Sequence, residues 1–256
     1  MFVSVFALAL TAHIVSDFLL QTDRMARKKE DIKEKGAWCA LLAHTALTFV
    51  LAAAALYLRS GGWLPLAGAA FIAASHLGVD VLKGSIDIKK HRTAAFVLDQ
   101  LLHLAAIAAA ALIVSQYADA PGYYDALKSP LALPGWSAEA DKAVWTAATA
   151  IACVWGGAHV IRLLLSDLNI DLADASQDPK AAHAGKWIGM LERMTLIILI
   201  PLGQWAAVGL LLTAKSIARH RNLDKQNYAE YYLVGTLLSF ITAIAGGLVI
   251  SGIWAG

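Results

Sequence analysis

Residues 75–84 read SHLGVDVLKG and residues 12–21 read AHIVSDFLLQ, two apolar stretches that each carry a histidine and, four residues on, an aspartate. A third stretch, LDQLLH at 98–103, holds the same pair in reverse order, Asp99 then His103, and LLAHTALTF at 41–49 holds His44 alone. On an α-helix, positions i and i+4 stand one above the other on a single face, so each pair aims an imidazole and a carboxylate at one point. All seven residues lie among apolar neighbours, where an ionisable side chain is costly unless it pairs, ligates an ion or lines a cavity. His13, Asp17, His44, His76, Asp80, Asp99 and His103 are therefore the candidate metal ligands.

The surroundings of these stretches set the class. Hydrophobic residues make up 59% of the chain and charged residues 16%, and apolar runs of about 20 residues recur, the length a helix needs to cross the hydrocarbon of a bilayer. The expected fold is all-α, a polytopic membrane helical bundle of about seven transmembrane helices. Spans are expected at about 2–21, 37–58, 63–83, 95–116, 142–165, 186–213 and 229–254, the sixth broken or kinked near Pro201. The connector TDRMARKKEDIKEKG at 22–36 alternates sign and reads as a short surface helix. The first stretch has no basic leader and no small-residue cleavage site, so it reads as a helix of the mature protein. Cys39 and Cys153 fall inside spans, and two lone buried cysteines argue against a disulfide framework. In the last span, GTLLSF and AGG offer small residues that let helices approach closely.

Charge placement orients the bundle. Lys and Arg crowd the connectors after spans one and three, which puts those connectors in the cytoplasm and the N-terminus outside. The basic run AKSIARHRNLDK at 214–225 would then face outward, against the rule, so either span six is re-entrant or the C-terminal count differs. From the cytoplasmic end, His13, His44, His76 and His103 all lie about 10–12 Å in at 1.5 Å per residue, with the three aspartates nearer the surface. AHIVSDFLLQ and SHLGVDVLKG also align on His, Asp and Leu. Spans one and two thus read as a degenerate repeat of spans three and four, a pseudo-symmetric four-helix core at 1–116, with residues 117–256 as C-terminal helices packing on it.

Imidazole and carboxylate together suit Zn²⁺ first, with Mn²⁺ or Fe²⁺ as alternatives, and the absence of thiolates from the set disfavours a purely structural zinc. Four histidines and three aspartates exceed what one tetrahedral ion needs. Either two ions share the layer, or some aspartates orient histidines. An aspartate not spent as a ligand, Asp17, Asp80 or Asp99, is the candidate general base. A single intramembrane histidine is more often a helix-packing residue than a ligand, and buried Asp and His chains also mark proton and cation paths. Transport predicts ionisable residues through both leaflets, whereas the far halves of spans one to four are almost wholly apolar.

Gln21, Lys83 and Gln100 lie at the cytoplasmic mouth as candidate substrate contacts, although interfacial snorkelling accounts for Lys83 equally well. Arg162, with His159 near the end of span five, is expected to pair with Glu192 or to meet a headgroup. His91, His183 and His220 read as solvated, the last in a basic run able to meet anionic lipid. The sequence has no glycine-rich phosphate loop and no nucleophile elbow.

HIVSDFLLQTDRMARKK, HLGVDVLK and DQLLH, with GKWIGMLERMTLIILI, AKSIARHRNLDK and AEYYLVGTLLSF further on, resemble the bacterial membrane family catalogued as domain of unknown function 3307. The His/Asp pattern is also similar to that of inner-membrane proteins described as metal-dependent hydrolases and likened to zinc-dependent phospholipase C. That second resemblance implies phosphoester hydrolysis, with the seven His and Asp residues as ligands, and does not reach the C-terminal spans. The expectation is a multi-pass protein of the bacterial cytoplasmic membrane that binds one or two divalent ions. It would cleave a phosphoester of a lipid or other amphiphile at the cytoplasmic side, as a homo-oligomer or alone and without nucleic acid. A proton- or cation-coupled transporter and a metal-stabilised scaffold without catalysis are the alternatives.

Overall fold

A computed structural model describes residues 1–60, 62–86, 92–118, 136–168, 179–219 and 226–255, and within them the regular structure is helical. The helices are α1 (Phe2–Leu20), α2 (Asp23–Lys29), α3 (Ala37–Ser60), α4 (Leu64–Gly84), α5 (Arg92–Ala118), α6 (Ala138–Asp167), α7 (Pro179–Leu199), α8 (Trp205–Arg219) and α9 (Gln226–Ala255). Among the described residues, six helices are long and apolar enough to cross a membrane: α1, α3, α4, α5, α6 and the Tyr232–Ala255 part of α9. The chain is a multi-pass membrane protein.

The expected span at 186–213 is absent from that set, and the run is broken into two helices, α7 and α8. Gly203, at φ +67°, ends α7. The Gln204 N–H donates to the Leu199 carbonyl and the Gly203 N–H to the Ile200 carbonyl, both at 2.9 Å, the pair of bonds that closes a helix on a left-handed residue. Pro201 sits inside this closing turn, so the stop comes from the glycine beyond it rather than from a proline kink.

The chain divides into two compact units, Met1–Ala148 and Thr149–Gly256. In the first, α1 packs on α3 and α5, and α4 packs on α3 and α5, so four helices close into a ring. The start of α6 joins this unit, where Ser4 Oγ donates to Asp141 Oδ2 at 2.7 Å and Phe6 meets Trp145. Inward-facing residues recur at helical spacing, Ala40, His44, Thr48, Ala52 and Leu56 on α3 and Ala69, Ile72, Ala73, His76 and Asp80 on α4. Outward-facing positions are also apolar: Leu42, Val50, Phe71, Leu98, Leu101 and Leu112 are exposed, which suits hydrocarbon and would be a liability in water. Cys39, expected to be buried, faces outward with them.

In the second unit α9 packs on α7 and on the latter part of α6. The small residues of AGG bring these helices together, since a Cβ at Gly246 would overlap Cys153 and one at Gly247 would overlap Ile200. Buried Arg193 donates from Nε and Nη2 to the Val154 carbonyl, at 3.3 and 2.8 Å, within the π-helical turn Ala152–Gly156. The expected Arg162–Glu192 pair does not form; Glu192 pairs with Lys215 at 2.5 Å and Arg162 is exposed.

Back in the first unit, the connector after α1 is held against the end of α4. Thr22 caps α2 by accepting from the Met25 N–H, and Ile32 N–H donates to the Gly84 carbonyl at 3.3 Å. Gly84 permits this crossing, because a Cβ there would stand 2.6 Å from the Lys29 carbonyl oxygen. Gly84→Val is expected to push the connector off α4 and lower stability by about 1–3 kcal/mol, the usual cost of overpacking. Thermal unfolding of the detergent-solubilised protein checks this, and an unchanged Tm would refute the contact.

Candidate metal centre

The ring of four helices brings the seven sequence-predicted residues together at one end. His13 and Asp17 lie in the C-terminal half of α1, His76 and Asp80 in that of α4, His44 near the start of α3, and Asp99 and His103 near the start of α5. Alternating helix direction places these four regions at the same end of the bundle. All seven side chains are at least nine-tenths buried. The imidazoles stand ring against ring, with centroids 4.8 Å apart for His44–His76, 4.0 Å for His76–His103, 4.9 Å for His13–His103 and 5.4 Å for His13–His76.

Asp17 is placed by a local departure from the α-helix. Val15–Leu20 winds as a π-turn, closed by the Gln21 N–H on the Ser16 carbonyl at 3.0 Å, a form that often marks functional positions. Ser16 and Thr48 hydrogen-bond at 2.7 Å and fix this turn against α3. Asp17 Oδ1 then lies 3.1 Å from His44 Nε2 and 3.5 Å from His76 Nε2, while Oδ2 lies 3.8 Å from His13 Nε2 and 3.4 Å from Gln100 Nε2.

Residues 5–126 match the family described as Protein of unknown function (DUF3307). The matched segment contains every residue of the cluster, and nothing matches the chain among curated proteins or solved structures.

The donor chemistry of the cluster fits a cation. His44 Nε2 and His76 Nε2 face each other at 2.8 Å with the Asp17 carboxylate against both, while Nδ1 of each ring has no hydrogen-bond partner. Each imidazole nitrogen offers either one proton or one lone pair, so a single proton shared among these atoms leaves lone pairs opposed. A positive ion between the two Nε2 atoms and the Asp17 carboxylate satisfies these facing lone pairs at once. Donors lie within 4.8 Å of one another in the sets His13, Asp17 and His76; His44, His76 and Asp80; and Asp80, Asp99 and His103, and closer still in Asp17, His44 and His76.

Two lysines complete the electrostatics. Lys83 Nζ donates to Asp99 Oδ2 at 3.0 Å. Lys29 Nζ, from α2, donates to Asp80 Oδ2 at 2.7 Å and reaches Gln21 Oε1 at 3.5 Å. Lys29 was hidden from sequence reading, being one of several like charges in a connector that looks solvated; it is buried while Arg27 beside it is exposed. Gln21, Lys83 and Gln100 thus stand at the cluster, and Gln100 Nε2 also donates to Asp99 Oδ2 at 3.2 Å. Arg162 belongs to the second unit. His91, His220 and the side chain of His183 lie outside the described residues.

Removing one partner of a buried ion pair strands the other charge. Lys29→Ala is expected to cost about 3–5 kcal/mol, and Lys29→Ala with Asp80→Asn much less than the two changes added together. Unfolding midpoints of the three variants check this; strict additivity would mean that the pair is not coupled.

Proposed function

We propose that the protein is an integral membrane, metal-dependent hydrolase that cleaves a phosphoester of a lipid or amphiphilic substrate at the cytoplasmic side of the bacterial inner membrane. The supporting observation is the convergence of Asp17 Oδ1, His44 Nε2 and His76 Nε2 within 3.5 Å of one another at one end of the bundle, with cationic Lys29 and Lys83 beside them. In this reading the His and Asp side chains hold a divalent ion, Zn²⁺ first and Mn²⁺ or Fe²⁺ otherwise. Such an ion lowers the pKa of bound water and polarises a phosphoryl oxygen.

The chain's own groups supply the rest. Asp99 Oδ1 has no hydrogen-bond partner and lies 3.6 Å from His103 Nε2, beyond hydrogen-bonding distance, which leaves this carboxylate oxygen available to take a proton from the attacking water. Lys83, about one-third exposed, offers a cation to an arriving anionic headgroup. Away from the cluster the bundle is filled by Val5, Ala9, Leu56, Ile72, Ile107 and Val114. That dry layer excludes bulk water from behind the site and favours hydrolysis over a transport path, which needs polar groups through both leaflets. The repeat of His-x-x-x-Asp in α1 and α4 gives this core its pseudo-symmetry.

Purified protein is expected to retain a divalent ion by elemental analysis and to release phosphate or an alcohol from phosphoester lipids with Zn²⁺ or Mn²⁺ present. His76→Ala should lower turnover more than about 100-fold, beyond the 10–100-fold typical of residues that only orient a ligand. Metal binding without turnover on any phosphoester would sink the hydrolase, and cation-coupled uptake into vesicles lost in His76→Ala would replace it with a transporter.

A further inference from the structure

We infer that the centre is built for one divalent ion, held by Asp17, His44 and His76, and that Lys29 and Lys83 permanently take the place of a second cation at Asp80 and Asp99. The inference rests on the metal-centre reading above and decides the number of ions and their ligands, which residue types and spacing leave open.

Ligand spacing separates the two halves of the cluster. Around a tetrahedral ion with bonds of about 2.0–2.1 Å, neighbouring ligand atoms stand about 3.3 Å apart. The three donors of Asp17, His44 and His76 are separated by 3.1, 2.8 and 3.5 Å, which brackets that value. Three protein ligands and an open fourth position are also the pattern of a catalytic rather than a structural zinc. His13 sits at the edge of this set, its Nε2 at 3.4 Å from Gln100 Oε1.

The other half already has its cations. Asp80 Oδ2 and Asp99 Oδ2 receive ammonium groups at 2.7 and 3.0 Å, and both lysines come from the end of the bundle where an ion would have to enter. Charge gives the same division. Three carboxylates against two ammoniums leave one negative charge among neutral imidazoles. One divalent ion with a bound hydroxide brings the buried cluster to neutrality, whereas a second divalent ion beside them would leave a charge of about +2 in a low-dielectric site, a large penalty.

Wild-type protein loaded with Zn²⁺ and dialysed is expected to carry one ion per chain. Asp17→Asn and His44→Ala should lose it, while His103→Ala and Asp99→Asn should keep it. Lys29→Met with Lys83→Met should bind two ions. In Lys83→Met alone, which guards against failure of the double variant to fold, the second ion should bind more than about tenfold tighter than in wild type, since one buried countercharge is gone. Two ions in wild type overturn the inference and leave the metal centre standing. So does equal loss of the ion in His103→Ala and His44→Ala, or a lysine variant that gains no second site. A wild-type chain that binds no divalent ion overturns both the inference and the reading beneath it.

Discussion

The carboxylate of Asp17 is met by all four helices of the ring: His13 of its own helix, His44 of α3, His76 of α4 and Gln100 of α5. His76 faces it from α4 and is likewise met from α1, α3 and α5, by Asp17, His44 and His103. A carboxylate placed among apolar side chains has no water to solvate it, so it holds its position only if neighbouring elements bring it polar partners. That requirement fixes the rotation of each helix about its own axis. In a bilayer the outer faces are as apolar as the inner ones, and the difference between Leu98 outside and Ile107 inside carries no orienting force. The polar stripe does the orienting, with the π-turn at Val15–Leu20 adjusting Asp17 until its two oxygens address different helices.

This is why so much of the site was legible in sequence and some of the fold was not. An ionisable residue stands out sharply against an apolar run, and helical spacing says which ones share a face, so His13, Asp17, His76, Asp80, Asp99 and His103 could be paired before any coordinates. Lys29 could not. Its neighbours Arg24, Arg27 and Lys28 are chemically equivalent, and only the close approach at Gly84 selects the one that turns inward.

The Glu192 pairing failed for a related reason. Reading 186–213 as a single span would set Lys215 about 35 Å along the helix from Glu192, at 1.5 Å per residue, and leaves Arg162 as the nearer partner. Once Gly203 ends α7, the following helix α8 returns against it, and Lys215 reaches Glu192. One backbone position with positive φ therefore changed both the span count and an ion pair 23 residues apart in sequence.

The two ends of the ring obey opposite rules, and the contrast bears on chemistry. Below the cluster the buried packing is mainly alanine, valine, leucine and isoleucine, with the hydroxyls of Ser60 and Ser115 returned to carbonyls of their own helices. At the cluster the protons are too few for the lone pairs, and the lysines that help are anchored to carboxylates. A bundle that only needed stability would do better with apolar residues at all seven positions, because a buried ion pair is often no more stabilising than well-packed hydrocarbon. Holding three carboxylates and four imidazoles against that penalty makes sense where a cation and an anionic substrate complete the charge balance.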